Sequence, residues 1–426
     1  MGVTVTTNYQ PLTTDCLARR LGELPVLRRR LGEDVAAWQV REVGDGNLNL
    51  VFIVEGESGS AVVKQALPYV RLVGDSWPLP LKRAFFEFNA LQRQAARAPG
   101  LVPEIYHVDD AQALIVMEFL TPHIILRKGM VAGTIYPQVA RHLGIFMAHS
   151  LFKGSDLHMP TRDRKRDLAL FADNVELCDI TENLIFSDPY FEAKLNRHTR
   201  PHLDDYVAKL RADRDLKVAA QQMKAAFCAN AQTLLHGDLH AGSVMVTPTD
   251  TRVIDPEFAV YGPIGFDIGM LLGNFWMAYF AQAGHEAHPG VRDDYRNWIL
   301  ATAAECWTVF QQEFTELWRH ERTGILFERS LFEDQGDTLG SEQALHHYLQ
   351  SIWRDSLGFA GVEMHRRILG LAHVHELESI EDPARRAVSE RRALALGRHL
   401  AVNRDRLSSI HDIHALAQRI DKENLS

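Results

Sequence analysis

Leu234-Leu235-His236-Gly237-Asp238-Leu239-His240, with Arg252-Val253-Ile254-Asp255-Pro256-Glu257 downstream, is the part of this 426-residue chain whose reading decides the fold. The apolar pair Leu234-Leu235 delivers Asp238 to a turn, and the strand-like Arg252-Val253-Ile254 delivers Asp255 and Glu257. Three carboxylates brought beside one phosphate are the minimum equipment for magnesium-assisted phosphoryl transfer. Asp238 is the candidate catalyst, because a carboxylate in a His-Gly-Asp turn accepts or orients the proton of an attacking hydroxyl. His236 is expected to brace the turn through its imidazole. Asp255 and Glu257 are separated by one residue, so they meet at one ion only where the backbone leaves regular strand geometry, which Pro256 and the loop after it favour. The alternative is a capped turn with solvated carboxylates.

Toward the N-terminus, residues 38–43, 48–54, 61–65, 105–108 and 113–117 read as short strands, with a helix over 81–97 set by Leu81, Ala84, Phe85, Phe88 and Leu91. Gly44-Asp45-Gly46-Asn47-Leu48-Asn49 lies between the first two strands, where glycine lets backbone N–H groups turn toward phosphate oxygens. Taken alone, this is equally a plain hairpin turn. Ala61-Val62-Val63-Lys64 follows as a buried-looking strand closing on a lysine, at a spacing from the glycine turn that suits an ATP-gripping side chain. Glu87, on the following helix, is placed to face inward and pair with Lys64; its other reading is a surface glutamate. Met117-Glu118-Phe119-Leu120 ends this part of the chain, either as a segment whose backbone bonds an adenine edge or as an ordinary connector.

Beyond Thr121 the pattern becomes helical, over 136–151, 203–228, 293–319 and 341–361, with one short strand pair around 234–255. The expected architecture is α+β: a small lobe, 1–120, built on an antiparallel sheet with one helix, and a larger, mainly helical lobe, 121–426. Asp267, in Tyr261-Gly262-Pro263-Ile264-Gly265-Phe266-Asp267, is expected to be a helix cap or loop brace. The charged run 162–166 reads as a solvated face or a helix start. Arg366-Arg367, beside an apolar stretch beginning at Gly358, are either solvent-facing or a clamp for a substrate and a transferring phosphoryl group.

The composition, 46% apolar and 24% charged, is that of a globular protein, and a net charge of −9 argues against nucleic acid or an anionic membrane as the main partner. Cys16, Cys178, Cys228 and Cys306 form no CxxC pair, so neither a disulfide framework nor a zinc knuckle is expected. No apolar run is long enough to span a bilayer and Met1 to Thr14 lacks a secretion-signal core, which gives a cytoplasmic expectation.

In this order the pieces are similar to the protein-kinase-like superfamily, and their wording resembles the 5-methylthioribose kinase family within it. The resemblance rests on Glu42-Val43-Gly44-Asp45-Gly46-Asn47-Leu48-Asn49-Leu50-Val51-Phe52, Val63-Lys64-Gln65-Ala66-Leu67-Pro68-Tyr69-Val70, Asp75-Ser76-Trp77-Pro78-Leu79, the two acidic motifs, and Tyr261 to Gly269. It implies a bilobal kinase fold, ATP and Mg²⁺ as cofactors, γ-phosphoryl transfer to the anomeric 1-hydroxyl of 5-methylthioribose in methionine salvage, and a homodimer. By the same resemblance Gly44, Gly46, Asn47 and Lys64 touch ATP, and Glu118, Phe119 and Leu120 form the adenine hinge. Asp255, Pro256 and Glu257 form the nucleotide–metal segment, with magnesium on the two carboxylates. Asp238 meets the sugar hydroxyl, Arg366 and Arg367 close the substrate site, and the loop bearing Trp77 acts as a lid. Two features depart from most protein kinases: Ser243 stands where they carry an asparagine that serves a second metal, and Asp255-Pro256-Glu257 replaces Asp-Phe-Gly, supplying two carboxylates in the pattern the resemblance to methylthioribose kinases implies. Phe119 also stands where close relatives are expected to carry a hinge aspartate.

Other readings remain open on these residues. An aminoglycoside, choline or homoserine kinase shares the His-Gly-Asp logic, but an aminoglycoside enzyme should line its site with acidic groups. A metal-dependent hydrolase would use His236, His240, Asp238, Asp255 and Glu257 as ligands, leaving the glycine turn and Lys64 without a role. A kinase fold without activity would serve as a binding module, yet Lys64, Asp238 and Asp255 are all present.

Overall fold

The computed structural model describes residues 9–44, 48–70 and 74–423. The chain forms two compact units: the first runs to Pro122 and includes Val253–Phe258, and the second takes His123–Arg252 and continues from Ala259.

The first unit begins with two helices, α1 (Thr14–Leu21) and α2 (Pro25–Leu31), that strand-oriented patterning passes over. Leu17 and Leu21 recur at helical spacing on one face of α1, and Pro25 at the first position of α2 has no N–H to lose there. The strands are β1 (Gln39–Glu42), β2 (Asn49–Gly56), β3 (Gly59–Ala66), the short hairpin β4 (Tyr69–Val70) with β5 (Gly74–Pro78), and, after helix α3 (Arg83–Arg97), β6 (Ile105–Asp109) and β7 (Leu114–Glu118). The main sheet is antiparallel, in the order β1-β2-β3-β7-β6. Side-chain alternation along β3 puts Ala61 and Val63 into a core with Leu17, Leu21, Leu27, Leu31, Phe52 and Val116, and turns Lys64 to the opposite face. Two expectations change here. Lys64 lies inside β3 rather than at its end, because the ladder continues to Ala66 opposite Asn49. The segment bearing Trp77 is a strand, with Pro78 paired to Tyr69, instead of an irregular loop.

The second unit contains β8 (Ile124–Ile125), α4 (Leu126–Ala132), α5 (Val139–Lys153), α6 (Thr161–Phe171), α7 (Val175–Leu184), α8 (Asp204–Ala212), α9 (Arg214–Ala229), β9 (Thr233–Leu234), β10 (Val244–Val246), β11 (Thr251–Val253), β12 (Tyr261–Gly262), α10 (Gly265–His285), α11 (Asp293–His320), α12 (Thr338–Leu369), α13 (His375–Glu378), α14 (Pro383–Asn403) and α15 (Ile410–Lys422). At its centre α10 is buried on nearly all sides, which is why its sequence is apolar throughout rather than amphipathic. Gly265, Gly269 and Gly273 recur every fourth residue along its contact with α12: a Cβ on Gly269 would stand 2.5 Å from Ser356 O, and one on Gly273 3.2 Å from Ala360 O. Close approach at this seam fixes the run of α12, whose last turn carries Arg366 and Arg367. The expected helix over 203–228 is two helices. Asp213 is extended and its carboxylate accepts the Leu216 N–H, so it caps α9 and ends α8. The charged run 162–166 does start α6, but Arg164 is buried, stacked 3.9 Å over the Tyr261 ring.

Candidate active site

In the first unit, β3, α3 and the segment after β11 bring one lysine to several carboxylates. Lys64 Nζ lies 2.8 Å from Glu87 Oε1 and also bonds Asp255 Oδ1. Asn49 Nδ2 donates to Glu257 Oε2 at 3.1 Å, and the fully buried Arg83 guanidinium stands 3.8 Å from the same oxygen. Asp255 has φ +70°, a left-handed conformation unusual for a non-glycine residue. Side chains two apart on a regular strand stand roughly 6.6 Å apart. The bend lets Glu87, Asp255 and Glu257 offer oxygens that all lie within 4.8 Å of one another. Burial, reinforced by Asp255 and Glu257 against the pull of Lys64, raises the Glu87 carboxyl to about 7; Glu257 is raised as well, chiefly by burial. An all-oxygen donor set with surplus negative charge fits a hard divalent cation such as Mg²⁺. Sequence reading supplied Asp255 and Glu257 for the metal; proximity adds Glu87.

In the second unit, the turn between β9 and β10 presents Asp238. Gly237 holds φ +87°, open to glycine without strain, and the Asp267 carboxylate accepts both the His236 N–H (2.7 Å) and the Gly237 N–H (3.0 Å). Asp267 is therefore the loop brace, and His236 joins it by accepting the Asp238 N–H at its Nδ1. Ser243 is used inside the loop, accepting the His240 N–H at 3.0 Å and donating to Asp238 O at 3.0 Å. Asp238 Oδ1 accepts from Arg367 Nη2 at 2.8 Å and Arg366 Nη2 at 3.1 Å. Both arginines return to the buried Glu363, Arg367 Nε at 2.6 Å and Arg366 Nε at 3.2 Å. Burial alone would raise the Asp238 carboxyl, but His240 and the two arginines hold it well below the usual carboxylate range. With 24% of its side chain exposed, it stays within reach of a ligand.

The remaining expected residues are placed as follows. Gly44 is an exposed turn residue, while Gly46 and Asn47 lie outside the described residues. Glu118 ends β7, its N–H bonded to Glu104 O, and Phe119 and the buried Leu120 follow as the chain leaves the sheet. Pro256 is buried between the two acidic residues, and Trp77 is half-buried in β5. Arg83, Asn49, Arg127, Glu363 and Glu376 were not found from sequence. Only Glu363 carried a readable signal, lying three and four residues before the paired arginines. The one candidate metal cluster among the described residues is Glu87, Asp255 and Glu257, which contains no histidine.

Residues 39–306 match the model of the "Phosphotransferase enzyme family". A rice (Oryza sativa subsp. japonica) protein named methylthioribose kinase 1 is 46% identical, over 97% of this chain and 96% of its own. Methylthioribose kinases of Escherichia coli (45% identical, 94% of this chain and 95% of that one) and of a Geobacillus strain (40%, 98% of each) align similarly. On this similarity, which runs through both clusters, the chain belongs to the methylthioribose kinases of the phosphotransferase enzyme family.

Proposed function

We propose that this protein transfers the γ-phosphoryl group of ATP to the anomeric 1-hydroxyl of 5-methylthioribose, giving 5-methylthioribose 1-phosphate in methionine salvage. The observation that carries the reading is Asp238 held by Arg366 and Arg367, in a chain 46% identical over nearly its whole length to a protein named methylthioribose kinase 1. The first unit, through Pro122 together with Val253–Phe258, acts as the nucleotide lobe, and the second unit acts as the sugar lobe. Lys64, steadied by Glu87, grips the ATP phosphates with the glycine turn Gly44, Gly46 and Asn47. The backbone of Glu118, Phe119 and Leu120 reads the adenine. Asp255 and Glu257, flanking Pro256, hold Mg²⁺, which when bound neutralises phosphate charge.

Asp238 orients the sugar hydroxyl and accepts its proton. An ionised carboxylate of low basicity suffices, because phosphoryl transfer through a loose transition state needs positioning more than a strong base. Arg366 and Arg367 meet the sugar and the transferring phosphoryl, and Trp77 closes over the substrate. Three arginines and three carboxylates (Arg127, Arg366, Arg367; Asp238, Glu363, Glu376) surround this site, a balance that suits a neutral sugar and not a polycationic aminoglycoside.

The protein acts in the cytoplasm as a homodimer. The four cysteines are free, and exposed Ile325, Leu331 and Leu339 supply apolar surface for a partner copy, which light scattering tests. No described helix is long and apolar enough to cross a membrane. The decisive assay is ADP release with ATP, Mg²⁺ and a panel of methylthioribose, ribose, choline, homoserine and kanamycin, with ³¹P NMR of the product. An anomeric phosphate from methylthioribose alone is expected; turnover of another panel member in its place would overturn the substrate assignment.

A further inference from the structure

The loop after Asp238 contains an arrangement that the mechanism above leaves unused. His240 Nδ1 lies 2.8 Å from Arg127 Nη2 and 2.8 Å from the Gly242 backbone nitrogen. Both partners are donors only: a guanidinium keeps its protons, and a backbone N–H has nothing to accept with. Nδ1 is therefore the unprotonated nitrogen, and the single proton of the neutral ring sits on Nε2. That nitrogen stands 3.2 Å from Asp238 Oδ2.

We propose that Arg127, held by Glu376, and the Gly242 N–H keep His240 in its Nε2–H tautomer, and that His240 is thereby a positioning residue that fixes the orientation of the Asp238 carboxylate. The proposal rests on the reading of Asp238 as the group that meets the substrate hydroxyl. Oδ2 is held by His240 and Oδ1 by Arg366 and Arg367, so the carboxylate cannot turn about its bond to Cβ without losing contacts on both oxygens.

Arg127 is held independently at both ends. Its backbone N–H donates to Ala241 O at 3.0 Å, and its Nε ion-pairs with Glu376 Oε2 at 3.3 Å. Glu376 is 1% exposed, neither of its carboxylate oxygens makes a hydrogen bond among the described residues, and Arg127 is the cation that acts on it most strongly, ahead of Arg367 and His375. Its carbonyl bonds His285 Nε2 at 2.7 Å, tying α13 to α10. The packing around Gly242 is a second, separate observation. A Cβ there would stand 2.4 Å from His240 Cε1 and 2.7 Å from Arg127 Nη2, so glycine is the residue that lets a backbone N–H approach Nδ1 beneath both groups. Burial, partly opposed by Asp238, lowers the ring to about 4, consistent with a neutral imidazole at neutral pH.

The test is the tautomer itself, read by ¹⁵N NMR of histidine-labelled full-length protein, with His240 assigned by its loss in His240→Gln. A neutral Nε2–H ring is expected in the wild type at pH 7; in Arg127→Met, where the Gly242 N–H still donates to Nδ1, the Nε2–H form should persist with a shifted Nδ1 resonance. An Nδ1–H ring or an imidazolium in the wild type would overturn the proposal. This readout needs no substrate, so it stands apart from whether methylthioribose is turned over. In kinetics, His240→Ala should lower kcat by roughly 10²-fold, the scale of a small misplacement of a reacting group, with KM for ATP little changed. His240→Gln, whose amide N–H reaches the same oxygen, should restore most of that loss. Arg127→Met added to His240→Ala should cost little more. A Gln variant as slow as Ala, or strictly additive losses, would refute the mechanism even if every variant folds.

Discussion

Glu363→Gln is the most incisive single change, because Glu363 is fully buried, bridges Arg366 and Arg367, and never meets the substrate in the mechanism above. The side chains are the same shape, so packing is kept and only charge and hydrogen-bond polarity change. The new amide oxygen can still accept from Arg367 Nε (2.6 Å) and Asn274 Nδ2 (3.3 Å). Its NH₂ then faces Arg366 Nε, donor against donor, where 3.2 Å now separates opposite charges. Losing one partner of a buried ion pair costs about 3–5 kcal/mol. With an unfolding entropy of about 2.1 cal/mol/K per residue over roughly 300 residues of the second unit, Tm should fall by about 5–8 °C.

The pH dependence has a definite sign. Burial alone would raise the Glu363 carboxyl, but Arg366 and Arg367 overcome it and leave the carboxyl lowered. A depressed folded pKa contributes stability that is present above the unfolded value, about 4.3, and is lost as pH falls through the folded one. The Tm difference between wild type and Glu363→Gln should therefore be constant near neutrality and shrink below about pH 4. Calorimetry of both proteins between pH 3 and 8 measures it. A Tm within 1 °C of wild type at pH 7, or a gap that widens on acidification, would refute the electrostatic account of the arginine pair.

Asp238→Ala should lower turnover by roughly 10²–10⁴-fold while ATP binding by calorimetry is largely kept; near-normal activity would remove Asp238 from the chemistry. Arg366→Ala should impair sugar phosphorylation more than ATP affinity, and a selective loss of nucleotide binding would reassign the arginine. Lys64→Met leaves Glu87 and Asp255 without their shared cation, so KM for ATP should rise about tenfold or more; an unchanged KM would exclude Lys64 from the nucleotide site. Gly269→Ala forces a Cβ to 2.5 Å from Ser356 O, and overpacking of this kind costs about 1–3 kcal/mol, readable as a lower Tm; an unaltered melt would show that the α10–α12 seam yields freely.

Much of this protein was determined by sequence alone. The five strands of the main sheet and the helix between β3 and β6 follow from local patterning, since alternation and 3.6-residue periodicity report which face is covered. Asp238, Asp255, Glu257 and Lys64 stood out because each ends or interrupts an apolar run, where a charged residue needs a reason. What local pattern cannot carry is a partner distant along the chain. Arg127 and Glu376 are ordinary helix residues by composition, yet tertiary packing sets them 3.3 Å apart beside His240. Glu87 became a third carboxylate of the candidate metal cluster only because α3 folds beside the bend at Asp255. The break at Asp213 was lost inside a continuous helical pattern, because a cap depends on where one side chain turns its carboxylate and not on hydrophobic period. Sequence named Lys64, Asp238, Asp255, Glu257 and the paired arginines; tertiary structure supplied their other charged partners and decided which of them neutralise one another, because that depends on distances of a few ångströms between segments far apart in the chain.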